Sequence, residues 1–316
     1  MKSPPDLSDP LTGIIAATFT PFDRRGEVNL ELIPKLTEHL IENGVSGIYI
    51  CGSTGEGPSL TIAERKAVTE AYLKAANAKI RTVVHVGHTC LSDAQDLGRH
   101  AVAFGATAIS AIAPYYYKPE DTKTLVAFLK EVAKSASSLP FYYYHMPGLT
   151  GLAVDPIEFL IQGKQSIANL RGMKFTDADL SKFSACQSLD DGRFDLVFGR
   201  DEMLLPGLAV GAQGAVGSTY NLAPALYQRI VGEFEKGNLE EARRLQETSV
   251  AMIHRILGIG GEAALKYPMK RLGLDCGPRR LPMNQLSSDQ ERKIDLALDE
   301  LGFDNWAVKG AEKKAA

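Results

Sequence analysis

The chain is poor in cysteine. Four occur in 316 residues: Cys51, Cys90, Cys186 and Cys276, scattered and without a CxxC pair. That spacing supports neither a disulfide framework nor a zinc cage, and it fits a reducing, cytoplasmic setting. Long apolar runs are missing too. None approaches about 18 residues, so a membrane span is excluded. Positive charge has no surplus. Thirty-five Lys and Arg against 38 Asp and Glu leave a net charge of −3, so nothing favours neutralising phosphates, and a nucleic-acid role loses its electrostatic basis. Residues Met1 to Pro10 hold three prolines and two aspartates around no apolar core, unlike a signal peptide. The six histidines form no HxH or HExxH pattern; His85 and His88 flank a strand end rather than sharing a helix face. Metal-assisted catalysis therefore has little support, and no metal is expected.

What is present is globular. Hydrophobic residues are 45% and charged residues 23%, which excludes disorder as the main state. The length allows one large domain or two ordinary ones. From residue 13 onward, short β-rich runs alternate with amphipathic stretches. The pattern predicts strands at Gly13–Phe19, Gly47–Cys51, Thr82–Val86, Ala106–Ala113, Phe141–His145, Leu170–Phe175, Asp195–Phe198 and Gly214–Gly217. Helices are predicted at Leu30–Glu42, Ile62–Ala76, Ser92–Phe104, Thr122–Lys134 and Pro156–Gln162. Asn29 is read as a helix N-cap, and Thr61 with Glu64 and Ser92 with Gln95 as capping boxes. Several apolar runs lack alternation, as in parallel strands covered on both faces.

Eight βα units over about 220 residues point to a (β/α)8 TIM barrel. A doubly wound sheet with a second domain is the alternative, but no GxGxxG follows the first strand. The barrel core is placed at residues 11–223 and a closing helix with a C-terminal helical extension at 224–303. Residues 304–316 are read as a flexible tail. The extension is predicted as helices at Ala225–Glu235, Leu239–Ile256, Glu262–Leu272 and Ser288–Leu301.

In a barrel, reacting groups gather at the C-terminal ends of the strands. Lys174 is the sharpest candidate there. Leu170, Met173 and Phe175 around it are apolar. A buried ammonium without a partner is costly, which favours the neutral amine, a nucleophile toward ketones. The plain alternative is a lysine paired with a carboxylate across the barrel. Gly52–Gly57 does not meet the Walker A pattern. It is either a simple strand-to-helix turn or a cradle in which Ser53 and Thr54 hold a small carboxylate. Alternation sends Tyr142 and Tyr144 to one face and Tyr143 to the other. Tyr144 is either a core aromatic or a proton shuttle beside a lysine. Asp201 and Glu202 can cap the following helix or accept from sugar hydroxyls.

Four ordered segments at strand ends carry a resemblance: Gly52-Ser53-Thr54-Gly55-Glu56, Tyr144 to Gly151, Gly172-Met173-Lys174, and Gly214 to Ser218. Over about Leu11 to Arg280 the chain resembles the pyruvate-dependent class I aldolase family, which contains the N-acetylneuraminate lyases and the dihydrodipicolinate synthases. The resemblance implies an imine between Lys174 and C2 of a 2-keto acid, a carboxylate held by Ser53 and Thr54, and proton transfer by Tyr144. It implies no metal and no organic cofactor. Its synthases carry an arginine where this chain has Leu149, and its bacterial members commonly an asparagine where this chain has His145. The Tyr-Tyr-Tyr-His run instead looks like the animal lyases. Gly199, Asp201 and Glu202 match the segment holding the sugar tail, with Thr176 and Ser218 as further polar contacts. The implied partners are a 2-keto sugar acid, sialic acid first, and pyruvate. A homotetramer is also implied, with Tyr116 lent to a neighbouring subunit's site. Another 2-keto sugar acid, a synthase-like condensation, and an inactive barrel that binds a small acid are the competing expectations.

Overall fold

The computed structural model describes residues 9–310. Its strands are β1 (Gly13–Ala17), β2 (Gly47–Ile50), β3 (Arg81–His85), β4 (Ala108–Ile112), β5 (Phe141–His145), β6 (Leu170–Phe175), β7 (Asp195–Phe198) and β8 (Gly214–Gly217). They pair in parallel and in chain order, and β8 returns to β1 to close the barrel. The helices are α1 (Ile33–Glu42), α2 (Ile62–Ala76), α3 (Leu91–Ala103), α4 (Thr122–Lys134), α5 (Pro147–Thr150), α6 (Pro156–Ser166), α7 (Leu180–Ser188), α8 (Leu204–Ala209), α9 (Pro224–Glu235), α10 (Leu239–Gly260) and α11 (Ser288–Glu300).

The unalternating runs have the predicted cause. Successive strand side chains fill two apolar layers rather than one. Ile15, Tyr49, Val83, Tyr142, Tyr144 and Val216 fill the barrel interior. Ile14, Ile48, Val84, Tyr143 and Phe175 pack outward under the helices. Both layers are buried, which fixes each strand's register.

Local chemistry moved several boundaries. Thr61 does form a capping box with Glu64, at 3.2 Å for the Glu64 N–H to the Thr61 hydroxyl. Ser92 and Gln95 do not form one. The helix begins at Leu91, so Ser92 lies in its first turn, and Gln95 Nε2 donates to the Glu131 carbonyl at 3.1 Å. Asn29 makes no side-chain cap. A short 3₁₀ turn, Leu30–Leu32, follows it, and α1 starts at Ile33 with Pro34 in its first turn, where no N–H is needed. The stretch predicted as helix at Glu262–Leu272 is a 3₁₀ segment, Gly261–Lys270, and Pro268 inside it supplies no N–H for an α-helical bond at that position.

The tail reading needs correction for residues 304–310. Trp306 Nε1 donates to the Leu301 carbonyl at 2.9 Å, Ala307 is fully buried, and the Lys309 N–H reaches Asn43 Oδ1 at 2.7 Å. Those contacts dock the segment beside the end of α1. The readings of residues 1–8 and 311–316 lie outside the described residues. Among the described residues no helix is long and apolar enough to cross a membrane.

Candidate active site

The last residues of β5 and β6 bring Tyr144 and Lys174 side by side, as register partners in adjacent strands. Alternation along β6 turns Met173 and Phe175 into the helix layer and leaves Lys174 facing inward. Its side chain is 5% exposed. Its Nζ lies 4.1 Å from the Tyr144 ring centre and 4.3 Å from that of Tyr49. Among the described residues no carboxylate forms an ion pair with it. The salt-bridged alternative is therefore not what the fold builds. Two aromatic faces flank the Lys174 nitrogen, and neither ties it up as a carboxylate would.

Tyr49, inside the barrel on β2, is a site residue whose contact with the amine no sequence pattern marks. Its hydroxyl bonds Ser110 Oγ at 2.9 Å, which fixes the ring under the amine. His85, also buried, packs edge-on against Tyr144. Burial first, then the cations of Arg65 and Lys174, hold its pKa well below the ordinary histidine value. It stays neutral and accepts the Ile112 N–H at 3.2 Å.

Around the amine, most predicted polar groups converge. Thr54 and Ser218, from the loops after β2 and β8, share a hydrogen bond at 2.6 Å. Ser53 Oγ points to the Met146 sulfur at 3.8 Å, and the Tyr144 phenol donates to that sulfur at 2.9 Å. The Thr176 hydroxyl is buried and has no hydrogen-bond partner among the described residues. Gly199 stands against it: a Cβ there would lie 1.9 Å from Thr176 Oγ1, so only glycine leaves this hydroxyl its place.

Asp201 and Glu202 do different work. Asp201 is buried, and its Oδ2 accepts from the Thr219 N–H at 2.7 Å and the Thr219 hydroxyl at 2.6 Å. It opens a 3₁₀ turn, Asp201–Met203, and caps no α-helix. Burial pushes its carboxyl up to about 6, against the pull of both Thr219 bonds. Glu202 lies at the rim, held by Arg200 at 2.7 Å. Beneath the loop after β2 lies a charge cluster that sequence reasoning missed. Glu56 meets Lys266 at 2.9 Å and Arg279 at 3.3 Å, all buried, and Arg279 also donates to the Thr54 carbonyl at 3.0 Å. One set of metal-ligand types gathers among the described residues, His88, Cys90 and Asp93, with ligand atoms within 4.8 Å of one another at the start of α3. The His88 ring nitrogen nearest Asp93 already accepts the Cys90 N–H at 3.0 Å.

Residues 10–301 match the Dihydrodipicolinate synthetase family. The chain belongs to that family. It is 43% identical to N-acetylneuraminate lyase A of Xenopus laevis over 277 residues, 86% of this chain and 90% of the relative. Among solved structures, the N-acetylneuraminate lyase of Proteus mirabilis superposes with a TM-score of 0.91 at 37% identity, over 93% of this chain and 100% of the other. The sialic acid aldolase of Aliivibrio salmonicida gives 0.91 at 40% identity, over 93% and 98%.

Within this member of the dihydrodipicolinate synthetase family, the segment after β5 offers no cation. Leu149 is 64% exposed on the helical turn α5. His145 faces outward, buried against Phe175 and 3.8 Å from Asp177. Tyr116 sits in the loop after β4, 76% exposed, and its ring meets Tyr117 rather than the site.

Proposed function

We propose that this chain is a lysine Schiff-base lyase that splits N-acetylneuraminate reversibly into N-acetylmannosamine and pyruvate. The observation that carries the reading is Lys174. It is a buried amine in the barrel mouth, between two tyrosine rings, and no described carboxylate pairs with it. The family and the sialic acid lyases among its relatives supply the substrate.

In this reading the Lys174 amine adds to the C2 ketone and water leaves, giving a protonated imine. Tyr144 relays the C4 hydroxyl proton as the C3–C4 bond breaks, giving its own phenol proton on to the substrate carboxylate and so to bulk water. The bonding pair moves into the imine, so an enamine forms instead of a bare carbanion. Protonation at C3 and hydrolysis then release pyruvate and restore the lysine. Ser53 and Thr54 hold the carboxylate, and Ser218, bonded to Thr54, stands beside them as a further polar contact. Thr176, Gly199, Asp201 and Glu202 receive the hydroxylated tail, and the unpartnered Thr176 hydroxyl supports that role.

The synthase alternative is disfavoured by Leu149, which cannot form the two-pronged bond that a guanidinium offers a second carboxylate. A tetramer in which Tyr116 completes a neighbour's site belongs to the same proposal, supported by that ring's 76% exposure. The four free cysteines fit a reducing, cytoplasmic compartment. The test is borohydride reduction in the presence of pyruvate, beside steady-state cleavage of sialic acid and other 2-keto sugar acids. A reduced adduct on Lys174 and a preference for sialic acid are expected. No adduct would favour the inactive barrel. For the tail, Glu202→Ala should raise KM for sialic acid about tenfold, on the scale of one charged hydrogen bond, while sparing the pyruvate adduct. An unchanged KM removes Glu202 from the sugar site.

A further inference from the structure

The Met146 sulfur occupies an unusual place. It follows β5 directly and is half-buried against the barrel interior. It accepts the Tyr144 phenol at 2.9 Å, and Ser53 Oγ points at it from 3.8 Å. One thioether thus links the proton-transferring phenol to the carboxylate cradle. A thioether is a weak acceptor and cannot take the proton. It steers the phenol while leaving the phenol's own lone pairs free to accept from a substrate hydroxyl.

We propose that Met146 is an oxidation site through which peroxides switch this enzyme off reversibly. The proposal rests on the lyase reading and extends it to regulation of the same site. Sulfur is the readily oxidised atom here, and partial exposure gives a small oxidant access. The peroxide transfers one oxygen atom to Sδ. Sulfur loses two electrons, the peroxide's O–O bond breaks, and the remaining oxygen leaves as water. The product is methionine sulfoxide, polar and chiral where the side chain was apolar. Its oxygen is a much stronger acceptor than the thioether. It holds the Tyr144 O–H in a stronger hydrogen bond and crowds Ser53, so the phenol no longer serves the C4 hydroxyl and the cradle no longer closes on the carboxylate. A methionine sulfoxide reductase with a dithiol reverses the change, the dithiol giving two electrons and the oxygen leaving as water.

The experiment exposes the full chain to hydrogen peroxide and follows three readouts together. These are sialic acid cleavage, the mass of the peptide that contains Met146, and recovery with methionine sulfoxide reductase against dithiothreitol alone. Met146→Leu is treated in parallel, and each protein is compared with its own starting activity. Loss of turnover on the order of 10²-fold is expected, the lower end of what general acid–base catalysis contributes. The loss should follow the gain of one oxygen at Met146. Reductase should restore activity and dithiothreitol should not, which sets Met146 apart from the exposed Cys90. Met146→Leu should keep its own activity through the same exposure. The inference is overturned if Met146 stays unoxidised while other methionines gain oxygen, if its oxidation leaves turnover intact, or if Met146→Leu loses the same fraction. An untreated protein that neither cleaves sialic acid nor traps pyruvate sinks the lyase reading instead, and with it the basis of this one.

Discussion

Lys174 and Lys266 are both buried, and their surroundings give them opposite fates. Lys266 is held by the Glu56 carboxylate at 2.9 Å and the Pro278 carbonyl at 3.2 Å. Lys174 has only aromatic faces beside it. Lys266 is tied to a carboxylate, whereas among the described residues no carboxylate ties the Lys174 nitrogen, which leaves it accessible to a ketone. Lys174→Arg keeps a cation and its packing but cannot condense. Pyruvate trapping should vanish, and turnover should fall by 10⁴-fold or more, on the order seen when a covalent nucleophile is removed. Near-normal turnover in that variant would end the Schiff-base reading. Asp201 yields a second prediction. Its carboxyl moves from 3.8 to about 6 in the fold, so the native state keeps a proton that the unfolded chain has released. That contribution is complete below about pH 4 and is lost as pH rises through 6, a difference of about 3 kcal/mol. His145 acts oppositely. Burial holds it down to about 4 from 6.5, so its contribution is complete above 6.5 and is lost as pH falls toward 4. The two oppose each other over the same window. Asp201→Asn should therefore raise the urea midpoint at pH 7.5 and lose the gain near pH 4, while KM for the sugar rises. A gain equal at both pH values would show that ionisation is not its source.

At the scale of elements, β5 to β8 were legible to the residue, because turn residues bound short buried runs on both sides. Of the earlier strands, β1 and β2 were read one or two residues too long at their ends, as where Phe19 continues past β1, β3 was read one residue late, and β4 was read too long at both ends. Helix starts followed capping chemistry where the cap was real. Thr61 satisfies the Glu64 N–H, and Glu64 returns the bond to the Thr61 N–H at 2.8 Å. Ser92 has the same residue spacing without the geometry, since Cys90 already occupies the cap position. Thr61→Ala should cost about 1 kcal/mol of unfolding free energy. The capping box lies at the exposed start of α2, so pyruvate trapping should be unchanged. A fall in trapping would mean that α2 steers the loop before it. At the barrel mouth, the positions of Lys174, Tyr144, Thr54 and Ser218 were legible because strand alternation and strand ends locate them, whereas the contact between Thr54 and Ser218 was not. Tyr49, His85 and Met146 were not, because their roles arise from contacts across the barrel and not from any local pattern.

At the scale of the molecule, the C-terminal extension is fastened to the site by charge. Glu56 and Lys266 lie 210 positions apart in sequence, so no local pattern could join them. Glu56 sits at φ 57°, a left-handed backbone that costs energy for a non-glycine residue and persists only where surroundings impose it. Those surroundings are Lys266, Arg279 and the Arg280 N–H, which Glu56 Oε2 accepts at 2.9 Å. Arg279 in turn holds the Thr54 carbonyl. The extension therefore sets the shape of the loop that carries Ser53 and Thr54. Removing the anion and removing one cation are not equivalent. Glu56→Gln leaves two buried cations facing a neutral amide and should cost about 3–5 kcal/mol. It also loosens the cradle, so KM for pyruvate in the synthetic direction should rise. Lys266→Met leaves the Glu56–Arg279 pair and the Thr54 bond intact. Burial pushes the Lys266 ammonium down to about 8 against the pull of Glu56, so the cost of burying its charge offsets much of what the pairing contributes. That variant should lose little stability and keep its KM. Urea unfolding beside pyruvate KM for both variants checks the argument. Equal losses in the two would mean that the cluster acts only as packing and does not shape the cradle.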